Sequence, residues 1–473
     1  MKMMKSTIKI YAFSAALILG AVGCKKQLDL LPTDTIVEAN AFQSVADLQR
    51  GLNTVYARYA NYENSMFLAS TLADEAKFGP DNGGQGQFVI RYQYNSDATT
   101  GGDVIAGWGA FYSMLDFCNR TLAKIDEIRG TTAEEAQKPA IRGQLLALRA
   151  AAHFELLQRF SGTYNPSAPG VPIVTTSNIF RTPARNTAGE VMNQIETDLN
   201  QAVAALPATT NANFSDVVFN SININALRAR VALYKRDWQA AANFASTIIN
   251  ANVRPLVAST QYASIWDDSN LNIEVLFRIK RNGAGIGATW FTTGNLIHFS
   301  PTDKLRATFD AANDVRFVNF FTTFGGANRW AIRKYLGSAL GGRINDTKVF
   351  RTAEMYLIRA EALAEVGGTA NLAQATADIN FLRGRRITGY TNQTFASAAD
   401  IINAVLEERY KELCFEGFRF FDLKRRGLPV QRQASDVDGT NWLTLPADNF
   451  RFILPIPVAE LQANPNMVQN PGY

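Results

Sequence analysis

Residues 349–368 read VFRTAEMYLIRAEALAEVGG, and residues 375–386 continue with ATADINFLRGRR. The helical spacing of their apolar side chains predicts helices over 350–366 and 371–384. Within the first, Ile358-Arg359-Ala360-Glu361 repeats a local pattern met twice before, at Leu148-Arg149-Ala150-Ala151 and Leu227-Arg228-Ala229-Arg230. Each copy precedes a second, alanine-rich helix. The clearest pair is NALRARVALYKRDWQAAANFASTII (225–249), turned at Lys235-Arg236-Asp237 with Asp237 as N-cap. Small alanines let two antiparallel helices approach closely, and a hairpin that cannot bury its face alone must stack on neighbours. The period is irregular, so the expected fold is mainly α: a tetratricopeptide-like hairpin scaffold rather than a regular solenoid.

Outward from this stretch, helices are expected over about 108–128, 134–160, 187–206, 221–235, 237–251 and 398–416. Phe42, Val45, Leu48, Leu52, Val55 and Tyr56 fall on one helical face. The segments between differ in character. Residues 76–107 (AKFGPDNGGQGQFVIRYQYNSDATTGGDVIAG) are rich in Gly, Asn and aromatics. Residues 252–349 carry weak strand signals such as Glu274–Ile279 among Gly-rich loops, and 427–473 is Pro-rich and irregular. Hairpins at about 42–60, 108–251 and 350–426 would thus support a loop-rich second lobe with a few short strands, built from inserts at about 76–107 and 252–349.

The chain opens MKMMKSTIKIYAFSAALILGAVGC: lysines, an apolar run from Ile10 to Val22, then small residues. This pattern predicts a signal peptide over 1–23, too short for an ordinary membrane span. Ala21-Val22-Gly23-Cys24 resembles a bacterial lipobox, which makes Cys24 the expected lipid anchor of a tether over 24–41. Acyl chains contribute about 0.8 kcal/mol per buried methylene. Lys25 stands where an aspartate would retain a lipoprotein at the inner membrane. Cys118 and Cys414 sit among apolar neighbours in helical patterns; two buried thiols or a pair both fit, and buried thiols are the weightier reading.

The 473 residues, 47% hydrophobic and 19% charged, are enough for one large domain or two intimate ones. Formal charge is +5, of which Lys2, Lys5 and Lys9 lie in the signal segment, and no basic stripe suits nucleic acid. His153 and His298 are the only histidines, which excludes a three-His zinc site, and His153 in AAHFELL reads as a packing residue. There is no G-x-S-x-G elbow and no P-loop. A pair of glycosidase carboxylates is not excluded by spacing. Asp267-Asp268 is acidic enough to suggest a structural calcium ion, but the surroundings are not an EF-hand loop; no cofactor and no metal is expected.

In VLEERYKELCFEGFRFFDLKRRG (405–427), Glu408, Arg409, Glu412, Glu416 and Arg419 recur at three- and four-residue spacings. Ion pairs locking this helix to the hairpins explain them better than acid–base catalysis. Gly417 is expected to end the helix.

Taken in order, Arg351, Ala353-Glu354, Leu357, Ala360-Glu361-Ala362, Asn380, Arg383, Glu408-Arg409, Glu412-Leu413, Glu416-Gly417, Arg419, Asp422-Leu423 and the closing NPGY (470–473) resemble the SusD/RagB family of outer-membrane nutrient-binding lipoproteins of Bacteroidetes. LDLLPTDTI near the N-terminus, Phe42, Tyr56, Trp108 and Asn119 extend the likeness over nearly the whole mature chain. The resemblance implies a non-enzymatic lipoprotein on the outer face of the outer membrane. It would capture a glycan and act as lid to a SusC-like TonB-dependent barrel, the transporter. Peptide capture in the manner of RagB, and a tetratricopeptide assembly scaffold that binds no nutrient, are the alternatives; a surface glycosidase is a further rival.

A sugar offers C–H faces to stack on rings and hydroxyl rims to bond amides and charges. The ligand-binding candidates are therefore Asp74, Phe78, Asn82, Arg91, Tyr92 and Tyr94 in or beside the first insert, and Trp266, Trp290 and Trp330 in the second. Trp108 is expected to open a helix and to pack structurally.

Overall fold

The computed structural model describes residues 41–178, 180–270, 272–337 and 343–473; the signal segment, Cys24 and the tether up to residue 40 lie outside them. The chain starts with α1 (Val45–Tyr59), capped reciprocally by Ser44 and Asp47, and α2 (Tyr62–Thr71). Long helices follow: α3 (Gly102–Lys124), α4 (Lys138–Phe160), α5 (Ala188–Ala205), α6 (Ile224–Lys235), α7 (Trp238–Ala251), α8 (Thr352–Val366), α9 (Thr369–Gly384), α10 (Ala398–Glu412) and α11 (Arg419–Arg426). Each of α3 to α9 packs on the next in chain order, α1 covers α3 and α4, and α10 returns against α8. This is the stacked-hairpin array expected from the alanine-rich repeats.

The α6–α7 turn shows how the sequence makes a hairpin. Arg236 takes a left-handed conformation (φ 66°), and Asp237 accepts from the Ala240 amide at 3.2 Å. Ala241, Ala242 and Ala245 are buried on the inner face of α7. Two boundaries differ from expectation. Helix α3 begins six residues before Trp108, so Trp108 lies inside it, edge-on to Phe160 with Nε1 donating to Glu460. Helix α10 ends at Glu412; Gly417 (φ 97°) belongs to the turn before α11, where Phe415 is also left-handed.

The second lobe is made of short antiparallel pairs. β1 (Ala76–Phe78) pairs with β3 (Phe299–Pro301), with Phe78 opposite Phe299. β2 (Val275–Ile279) pairs with β6 (Thr347–Arg351) through an irregular register, β4 (Phe321–Thr323) with β5 (Trp330–Ile332), and β7 (Val430–Gln431) with β8 (Thr444–Leu445). Ser300 Oγ donates to the Trp330 carbonyl at 2.7 Å and ties β3 to β5.

Buried ion pairs fasten lobe to scaffold. Arg351, at the entry to α8, donates to Glu274, Glu412 and Glu416. Arg386 reaches Glu274 and Glu412; Arg316 reaches Asp314, Glu408 and Glu412; Lys334 reaches Glu416 at 2.6 Å. Glu412 is met by Arg316, Arg351 and Arg386, and Glu408 by Arg316 and Arg383, so the desolvation cost of these two glutamates of α10 is offset by charge-assisted bonds from several directions. The acids at helical spacing are thus structural, as expected, but Arg316 and Lys334 come from the lobe rather than from the hairpins. Cys118 and Cys414 are free and buried. His153 is fully buried between the Arg149 carbonyl and the Val174 amide, and burial lowers its pKa to about 3. Among the described residues no helix is long and apolar enough to cross a membrane.

Candidate functional site

The first insert and the second lobe meet along a seam. Gly79 donates to the His298 carbonyl at 2.9 Å, and a Cβ on Gly79 would stand 2.2 Å from the Ile297 carbonyl oxygen, so only glycine admits this approach. Asp81 accepts from the Ile297 amide at 2.9 Å and from Arg329 at 2.7 Å, both of which lower its pKa. Asn82 donates to the His298 carbonyl at 2.8 Å, and the Gln85 amide lies 3.4 Å from the His298 ring. Phe78 is half-buried with the Arg91 guanidinium 5.4 Å from its ring centre, and Arg91 is held by Asp438. Trp330 is half-buried too, with Arg306 4.2 Å from its centre. Next to the seam opens a cleft of about 420 Å³ lined by Glu63, Asn64, Gln85, Asp103, Thr289 and Phe299. The arrangement presents half-exposed rings on strands, with amides, carboxylates and guanidinium groups around them.

The other candidates lie inside, and their expected place on a binding surface is corrected by the packing. Tyr92 donates to the Leu72 carbonyl at 2.8 Å, and Tyr94 to the Arg451 carbonyl. Trp266 stands edge-on to Phe320 and Tyr335 with the Lys334 ammonium 4.5 Å from its centre. Trp290 stacks on Phe67 at 5.8 Å and is fully buried. Asp74 is buried too, gripped at both oxygens by Arg419 (2.7 and 3.0 Å) and by Lys304 (2.7 Å). These five are packed into the interior: large rings gain more from burial than from exposure, and a buried carboxylate needs such partners. Asp268 of the acidic pair is already engaged by Lys348 at 2.5 Å and by the Asp346 amide.

A family model described as SusD family matches residues 278–473, and one described as starch-binding associating with outer membrane matches residues 27–233. The chain belongs to the SusD/RagB family. SusD-like protein P2 of Formosa agariphila is 26% identical to it over 97% of this chain and 98% of its own. The starch-binding protein SusD of Bacteroides thetaiotaomicron is 35% identical over 27% of this chain and 22% of its own. Among solved structures, a SusD superfamily protein of Bacteroides thetaiotaomicron superposes with TM-score 0.81 at 23% identity, covering 90% of this chain and all of that one. A laminarin-binding SusD-like protein superposes with TM-score 0.70 at 22% identity, covering 91% and 100%. The fold that the resemblance implied, hairpins supporting a loop-rich lobe, is the fold observed.

In this SusD-family chain the family-like residues are mostly paired in the interior: Arg230 with Glu354, Arg425 with Glu361, Arg409 with Asp422, Arg419 with Asp74. They specify the fold. The seam's polar partners Gln85, His298, Arg329 and Asp438 were not among the expected site residues. His298 is one of only two histidines in the sequence and stands in no motif. No local spacing announces them, because Arg329 and Asp81 are 248 residues apart and Arg91 and Asp438 are 347 apart.

Proposed function

We propose that this chain captures a glycan along the seam and its adjoining cleft, and delivers it to a SusC-like TonB-dependent barrel while held at the outer face of the outer membrane by acyl chains on Cys24. What supports the reading is that Phe78 and Trp330 stay half-exposed on strands that both adjoin β3, while Asn82, Gln85, Asp81 and Arg91 supply polar groups in the adjoining insert. Rings take the C–H face of a sugar, while amides and charges fix its hydroxyl rim. The starch-binding and laminarin-binding names carried by two similar proteins point to the same ligand class.

The role is capture without hydrolysis. Glu63 and Asp103 both line the cleft, but Glu63 is occupied by the Thr347 hydroxyl and by Arg281. Burial, opposed by these two groups, leaves the Glu63 carboxyl above its ordinary pKa. Deleting the chain from cells that keep the barrel should depress glycan import when the glycan is scarce. Import unchanged at limiting glycan would overturn the delivery role.

A further inference from the structure

An open cleft lies away from the seam, on the scaffold, with a volume of about 910 Å³ between α8, α9 and the loop that follows α9. Its floor is a ring pair, Tyr356 of α8 and Phe381 of α9, with centres 5.3 Å apart and planes 38° apart. Phe381 is 41% exposed although it is among the larger apolar side chains. Each ring is steadied by an arginine: Arg359 lies 5.5 Å from the Tyr356 centre, and Arg385 lies 5.1 Å from that of Phe381.

The wall of the cleft is built rather than accidental. Asn380 donates to the Gln393 carbonyl at 2.9 Å and accepts from the Gln393 amide at 2.9 Å and from the Tyr390 hydroxyl at 2.7 Å. Arg383 donates to Gln393 Oε1 at 2.7 Å. These bonds pin the loop against α9 while Asn392, Gln393 and Thr394 line the opening. Among the described residues, no hydrogen bond engages the side chains of Asn392 or Thr394, and Gln393 Nε2 has no acceptor. Asp378, the carboxylate on this surface, accepts from Nε and Nη2 of Arg359 (2.8 and 2.6 Å).

We propose that this cleft is a second carbohydrate site, which holds another stretch of the polymer caught at the seam. An exposed ring pair with unspent amide and hydroxyl groups is the chemistry a sugar chain needs. The cleft offers no open strand edge on which a peptide would extend, because it is built from two helices and their connecting loop. The inference rests on the glycan reading of the seam, and separate variants keep the two apart.

The test is native electrophoresis of the full mature chain through gels containing laminarin, soluble starch or another polysaccharide of a panel. Variants are Tyr356→Ala with Phe381→Ala, Asn392→Ala with Thr394→Ala, and the seam pair Phe78→Ala with Trp330→Ala. The loop pair touches no core group, so it guards against a folding artefact. Each scaffold pair should weaken binding about fivefold, the loss of one ring contact or its hydrogen-bonding rim. Combining a scaffold pair with the seam pair should abolish retardation. Wild-type retardation in both scaffold pairs, with loss in the seam pair, would overturn the second site and leave the seam reading standing. Loss in the scaffold pairs alone would support the second site and overturn the seam. Retardation by no polysaccharide, or binding of a peptide digest instead, would overturn both.

Discussion

Arg351 and Glu412 meet in the interior: Nη1 of the arginine donates to Oε1 of the glutamate at 2.9 Å, with the two side chains 1% and 0% exposed. The same guanidinium reaches Glu274 and Glu416, so one residue at the mouth of α8 joins the residue just before the lobe strand β2 to the end of α10 and the turn after it.

Removing one member of such a cluster leaves buried charge uncompensated. Glu412→Ala should therefore lower stability by about 3–5 kcal/mol. Chemical denaturation measures it. A loss below about 1 kcal/mol, the scale of a surface pair, would show that the cluster does not join lobe to scaffold.

Glu75 gives a pH dependence of definite sign. Burial, opposed by the Phe415 amide and the Ser70 hydroxyl, raises its pKa from 4.5 to about 8. Between these values the native state keeps a proton that the unfolded chain gives up. The contribution of Glu75 is full below pH 4.5 and is lost as pH rises through about 8. Glu75→Gln should cancel this slope, about 1.4 kcal/mol per pH unit inside that window. Unfolding curves from pH 5 to 8 that run parallel for both proteins would contradict it.

Glu408 works in the opposite direction. Burial alone would raise its carboxyl, but Arg316, Arg383 and Lys411 outweigh burial and lower it from 4.5 to about 2. Its stabilising share is present above pH 4.5 and is lost as pH falls through about 2. Acid unfolding of Glu408→Gln should be less steep in that interval than acid unfolding of the wild type.

The hairpins were legible in the sequence because their signals are local. The Ala-rich face of α7 and the N-cap at Asp237 lie within one turn of each other, and the acids of α10 share one helix. Tyr92, Tyr94, Trp266 and Trp290 are buried rather than exposed, and the reason is physical. A tyrosine in a Gly-rich insert reads alike whether its loop faces water or the core. What draws Tyr94 inward is the Arg451 carbonyl, 357 residues away. Phe78 and Trp330, on the two strands that adjoin β3, stay half-exposed.

The anchor has its own check. Cys24→Ser should move the protein from the membrane to the soluble fraction, since no described helix can span a bilayer. Retention in the membrane pellet after that change would mean that something other than acylation holds it.

Glycan capture at the seam is decided by native electrophoresis of the mature chain through polysaccharide gels beside its Trp330→Ala variant, with released sugar assayed in parallel. One polysaccharide should retard the wild type, the variant should bind it about fivefold more weakly, and no shorter product should appear. Equal mobility of the two proteins in every gel, or release of shorter sugars by the wild type, would contradict it.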